Sequence, residues 1–156
     1  MSNLPLVVPH RTEAFTGACL PACLQMALAY FGVNRSQEQI ASQIGHIAEA
    51  GTPARNVTRL TAPGIAISYA AKGSLEDIRR CLAAKRIPIL FVRTGELPYW
   101  EDDTAHAVLV AGMEQVTILV HDPAFDQAPI PVPIDDLSLA WYEMGNTWAQ
   151  VAGQSS

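Results

Sequence analysis

The 156-residue chain is short of cysteine, of charge and of long apolar runs. Three cysteines are an odd number in a sequence with no export signal, so no disulfide framework is expected. The thiols read as reduced, in a cytoplasmic protein of bacterial type. Only 16% of residues are charged, and the net charge of -5 leaves no basic surplus to neutralise phosphates. A nucleic-acid binder is thereby excluded. The apolar stretch 4–8 is broken by Pro5 and Pro9, lacks a basic start and is too short for a signal-peptide core. No apolar run approaches the roughly 20 residues of a membrane span, so no membrane partner is expected. Repeats, low-complexity tracts and linkers are also missing.

What is present is hydrophobic residue, 49% of the total. That is enough for one full core, and the length suits a single domain over 1–156. Residues 6–8 read as a short entry strand. Helix signals run from Cys19 to Phe31, with Pro21 in the first turn, where a missing N–H costs nothing, and Gly32 as the stop. This helix is apolar nearly all round, which predicts burial. Ser36 caps a second helix over 37–44 ended by Gly45, and Thr52-Pro53 starts a third to about 61. Residues 65–69 are β-rich. Ser74 with Asp77 three residues later opens a helix to about 84. From there the pattern changes to β-branched runs at 87–92, 105–112 and 116–121, the last two joined as a tight hairpin at 113–115. A helix over 134–141 and a strand over 148–151 complete the chain. Helices first and antiparallel strands afterwards is an α+β order, which leaves a cleft between layers.

Cys19 sits at the first turn of the buried helix. Unpaired N–H groups and the positive end of a helix dipole stabilise a thiolate, and the same N–H groups can bind an oxyanion. A small core residue would fit the position too. Cys23 lies one turn further along the apolar helix and Cys81 inside an amphipathic helix, so both read as core. No second cysteine pair or close histidine pair exists to complete a metal site, and neither metal nor cofactor is expected. A thiol nucleophile needs a base held by a third group. His10 and His46 fall in loops and read as surface. His106 begins one hairpin strand and Asp122 follows the other, which predicts cross-strand neighbours. A pair that merely begins and ends a hairpin would look the same. His121 competes as base, but successive strand residues point to opposite faces, so its pairing with Asp122 is poor. Ahead of His106, Tyr99 and Trp100 stand beside the acidic trio Glu101-Asp102-Asp103, either as one lip of a substrate cleft or as a cover for the core edge.

Three segments together resemble one family. Cys19-Leu20-Pro21-Ala22-Cys23-Leu24-Gln25-Met26-Ala27-Leu28-Ala29-Tyr30-Phe31-Gly32 is similar to the nucleophile helix of C39-like peptidases. His106-Ala107-Val108-Leu109-Val110-Ala111-Gly112 resembles their histidine strand, and His121-Asp122-Pro123-Ala124-Phe125 the segment after it. The resemblance spans nearly the whole chain in order. It implies a papain-like cysteine peptidase fold and a Cys19–His106–Asp122 triad that attacks a peptide or amide carbonyl through a thioester, with a peptide or protein as partner. The resemblance also marks two departures. Glu13 stands where the family has an oxyanion-hole Gln, beside the Cys19 N–H; an ionised carboxylate cannot donate. Leu20 replaces the Gly after the nucleophile, a position expected to border substrate. The alternative they raise is a catalytically weak or inactive domain that binds a peptide in the same cleft.

Overall fold

The computed structural model describes residues 4–46 and 52–154. Its order is α+β. Helix α1 covers Cys19–Tyr30 and is buried along most of its length, as its all-round apolar sequence predicts. Helix α2, Gln37–Ile44, opens with a complete capping box between Ser36 and Gln39 and closes on Gly45 in the left-handed conformation. Helix α3, Leu75–Ala83, starts the same way: the Ser74 hydroxyl accepts from the Asp77 N–H, and the Ser74 N–H donates to the Asp77 carboxylate. Helix α4 spans Ile134–Tyr142. The helix expected after Thr52-Pro53 is a tighter 3₁₀ segment, Ala54–Arg59.

Among the described residues, six antiparallel strands form one sheet: β1 Ile65–Ala70, β2 Ile87–Arg93, β3 Ala105–Met113, β4 Thr117–His121, β5 Ile130–Pro133 and β6 Trp148–Gly153. Their order is β1-β6-β2-β3-β4-β5. The central strands are apolar on consecutive residues because both faces are covered. Ile87, Ile89 and Phe91 of β2, with Ala107, Leu109 and Ala111 of β3, pack into the core around α1 and α2. Leu90, Val92, Val108 and Val110 pack into a second core with α3 and α4.

Two further features depart from expectation. Residues 6–8 form no strand; instead the Leu6 N–H donates to the Ala111 carbonyl at 2.8 Å. Strand β5 is the other departure, for it carries Pro131 and Pro133 and carries little strand signal. It lies at the sheet edge, where the missing N–H groups are tolerated. Among the described residues no helix is long and apolar enough to cross a membrane.

The β3–β4 ladder bears directly on the site. Met113 pairs with Ile118 and Gly112 with Leu119, but Val110 pairs with Val120, so Ala111 is the extra residue of a bulge. Beyond the bulge Leu109 faces His121. Carried one residue further, this register sets Asp122 opposite Val108. Since side chains alternate, Val108 and His106 share a face, and Asp122 lies diagonally across from His106 on that face. Without the bulge Asp122 would stand opposite Leu109, on the wrong side of the sheet.

Candidate active site

Cys19 opens α1 with partial exposure. Ala18 ahead of it has no capping side chain, so none competes for the N–H groups of the first turn. The Cys19 sulfur, a ring nitrogen of His106 and a carboxylate oxygen of Glu13 all lie within 4.8 Å of one another. Cys23, one turn deeper, is fully buried and donates to the Ala107 carbonyl at 3.5 Å; burial pushes its thiol well up. Burial also pushes Cys81 up to about 12. Both read as core from sequence, and both are buried in hydrophobic clusters.

His106 Nε2 donates to Asp122 Oδ1 at 2.7 Å, which leaves Nδ1 for the thiol side. Asp122 has no exposed surface, and its carboxylate is saturated. Oδ1 also accepts from the Ala124 N–H at 2.9 Å. Oδ2 accepts from the Tyr99 hydroxyl at 2.8 Å and from the Trp100 indole at 2.9 Å. Burial raises the Asp122 carboxyl, but its bond to His106 and the other donors together hold it below the usual carboxylate range. Burial pulls the His106 imidazole down; its bond to Asp122 and the nearby Cys19 sulfur outweigh this and raise it to about 10. The Trp100 ring stands edge-on to His106, with centroids 4.9 Å apart, and Phe125 packs against both Tyr99 and Trp100. An aromatic wall thus screens the histidine–carboxylate pair from water.

Tyr99 and Trp100, expected at the rim of a substrate cleft, therefore turn their polar ends inward to the aspartate. Leu20, expected to border substrate, is only 4% exposed and packs into the core around α1. It is one residue and about 100° around the helix from Cys19, so the two side chains part company. That corrects the reading of Leu20 as a cleft residue.

Glu13 is half-buried. Its own N–H donates to the Pro123 carbonyl at 2.9 Å, and Gln37 clamps both neighbours, accepting from the Ala14 N–H at 2.8 Å and donating to the Thr12 carbonyl at 2.8 Å. The loop is thus tied to the segment carrying Asp122 and to α2. Burial raises the Glu13 carboxyl, His106 opposes this, and Asp122 adds to it. Nothing in the sequence marks Gln37 for this task, since it reads as an ordinary first-turn residue of α2.

The other histidines are engaged elsewhere. His10 Nε2 donates to the Phe125 carbonyl at 2.7 Å, so its Nδ1 accepts from His121 Nδ1 at 3.1 Å. His121 is thus not a base for Cys19; burial and His10 lower it to about 4. His46 bonds Thr52 at 2.9 Å and meets the Phe15 ring edge-on. Neither His10 nor His46 is the exposed surface residue its loop position predicts.

Comparison with known proteins bears on the family and the fold. The profile of the Peptidase_C39 like family matches residues 3–151. A structure from Bacillus anthracis assigned to the C39-like peptidases superposes with a TM-score of 0.78 at 17% identity, covering 99% of this chain and 100% of that one. The peptidase domain of Streptococcus ComA, a bifunctional ABC transporter of a quorum-sensing pathway, gives 0.71 at 16% identity over 96% of this chain and 99% of that one. A double-glycine-motif protease from an AMS/PCAT transporter, in complex with its leader peptide, gives 0.62 at 16% over 97% and 94%. No curated protein matches in sequence. With its helices packed on an antiparallel sheet in the papain-like manner, the chain belongs to the Peptidase_C39 like family.

Proposed function

We propose that the chain is a cysteine peptidase in which Cys19 attacks a peptide or amide carbonyl, with His106 as proton carrier and Asp122 as the group that orients it. The observation carrying this reading is that the Cys19 sulfur lies within 4.8 Å of a ring nitrogen of His106, whose Nε2 is bonded to a saturated Asp122. His106 accepts the thiol proton, and the thiolate adds to the carbonyl carbon. The tetrahedral oxyanion faces the Cys19 N–H at the helix tip. The imidazolium then protonates the leaving amine, which departs and leaves a thioester on Cys19. His106 next takes a proton from water, the hydroxide adds to the thioester carbonyl, the C–S bond breaks to free the acid product, and the proton returns to the Cys19 sulfur. Asp122 stays ionised throughout, because its four hydrogen bonds favour the anion.

A peptide substrate is supported by the family and by the leader peptide bound to the transporter protease above. Glu13 occupies the oxyanion side of Cys19, where an ionised carboxylate repels the developing charge. The test is a peptide library incubated with the chain and with Cys19→Ala, products and acyl-enzyme being followed by mass spectrometry. Cleavage with a transient adduct on Cys19, absent in the variant, is the expected result. Peptide binding without any cleavage would overturn the peptidase and favour a non-catalytic peptide binder.

A further inference from the structure

The three groups nearest the thiol are chemically unlike one another: a sulfur, an imidazole nitrogen and a carboxylate oxygen, mutually within 4.8 Å. We propose that Glu13, Cys19 and His106 together form a binding site for a thiophilic divalent cation of the Zn²⁺ type, which occupies the nucleophile and holds the enzyme off. Thiolate, imidazole and carboxylate are the ligands Zn²⁺ takes, at about 2.3, 2.0–2.1 and 2.0–2.2 Å from the metal. A tetrahedral ion needs ligand atoms about 3.3–3.7 Å apart on those lengths, so the set closes around a metal by small side-chain rotations. Hard cations are disfavoured, since Mg²⁺ and Ca²⁺ call for several oxygen ligands and this site offers one carboxylate.

A second observation supports the site independently. Zinc-binding histidines are oriented by a carboxylate on the far ring nitrogen. His106 has that partner, Asp122 at 2.7 Å, itself locked by Tyr99, Trp100 and the Ala124 N–H. With Nε2 engaged by Asp122, Nδ1 is the ring nitrogen left for a ligand beside Glu13 and Cys19. The ligands also arrive on separate, braced segments: Cys19 on α1, His106 on β3, and Glu13 on a loop whose N–H is fixed to Pro123. Three protein ligands leave a fourth position for water. Binding releases to solvent the protons held by the Cys19 sulfur and by His106 Nδ1 and forms the sulfur–metal and nitrogen–metal bonds, so a metal-loaded site has neither a free thiolate nor a free base. Glutamate at position 13 thereby acquires a use that glutamine there would not have.

The metal site itself does not require hydrolysis; only its inhibitory consequence rests on the peptidase reading. The test uses the full chain with a non-chelating reductant. Zn²⁺ binding is measured by competition with a chromophoric chelator, and Co²⁺ substitution is read from thiolate-to-metal charge-transfer absorption. One Zn²⁺ per chain is expected, with a cobalt–thiolate band that Cys19→Ser removes and Cys81→Ser leaves intact. Glu13→Gln and His106→Ala should each weaken binding by at least the roughly 10- to 100-fold lost when an outer-shell partner is removed. Thermal melts of each variant establish that it is folded. Absence of stoichiometric binding, or binding unchanged in folded Glu13→Gln, would overturn the proposal. Binding without peptide cleavage in any metal state leaves the site standing and sinks the peptidase; cleavage insensitive to Zn²⁺ does the reverse.

Discussion

A carboxylate beside an oxyanion and a carboxamide in the same place differ by little more than one proton donor and one charge, yet they act in opposite directions on a transition state. In the metal-free chain, Glu13→Gln should therefore raise kcat/KM on a cleaved peptide by on the order of 100-fold, the usual worth of one oxyanion donor. Steady-state kinetics with chelator present checks it; an unchanged rate would mean that side chain 13 does not face the oxyanion. Tyr99 tests the far end of the same array. Its hydroxyl donates to a fully buried carboxylate, and burial and Asp122 drive the phenol far above its ordinary range. Tyr99→Phe leaves Asp122 Oδ2 with the Trp100 indole alone and should cost about 1.5–3 kcal/mol of stability, measured by urea denaturation. A cost near zero would mean that water replaces the phenol, and that the aromatic wall does not keep the carboxylate dry.

At the scale of elements, the sheet and its helices are held by close packing that leaves little room. Gly73 passes over the paired indoles of Trp141 and Trp148, and a Cβ there would lie 2.7 Å from Trp148 Nε1 and 2.8 Å from Trp141 Cζ2. Trp141 cannot retreat freely, since its indole donates to the Thr147 carbonyl. Gly73→Ala should destabilise by about 1–3 kcal/mol as an overpacked site, visible as a lower urea midpoint with unchanged slope. The same scale shows what could be read beforehand. Helices α2 and α3 were legible because caps and stops are local: Ser36 with Gln39, Ser74 with Asp77, and Gly45 each act within four residues, while α1 was legible from Pro21 in its first turn and the Gly32 stop. Strand β5 was not, because Pro131 and Pro133 argue against a strand unless its place at the edge is known. The bulge at Ala111 was equally hidden. Periodicity placed His106 and Asp122 at the same end of a hairpin, but which face Asp122 occupies depends on one extra residue. The embrace of Asp122 by Tyr99 and Trp100, 23 and 22 positions away, depends on the path of an irregular loop that no pattern encodes.

For the molecule as a whole, the N-terminal segment acts as a brace. Leu6 bonds the bulge, the His10 ring joins His121 to Phe125, and Glu13 bonds Pro123, so residues 6–13 fasten along the strand end that carries Asp122. This brace is sensitive to acid. His121 falls from an ordinary 6.5 to about 4 in the fold, so the unfolded chain takes up the proton first. Its contribution is whole above about pH 6.5 and is lost as pH falls towards 4, a loss of up to roughly 3 kcal/mol. Asp122, held low in the fold, pushes in the same direction at still lower pH. Melting temperature should fall between pH 7 and pH 4.5, and His121→Asn should flatten that fall; an equal slope in the variant would assign the acid sensitivity elsewhere. The proposed chemistry depends on the nearness of the thiol at the tip of α1 to the braced imidazole of β3, within 4.8 Å. Alkylation by iodoacetamide at neutral pH, mapped by peptide mass spectrometry on the metal-free chain, tests it most directly. Cys19 should react well before buried Cys23 and Cys81, and His106→Ala should slow it more than about tenfold, since an unassisted thiol is only a few per cent thiolate at that pH. Comparable labelling of all three cysteines, or a Cys19 rate untouched by loss of His106, would contradict the account.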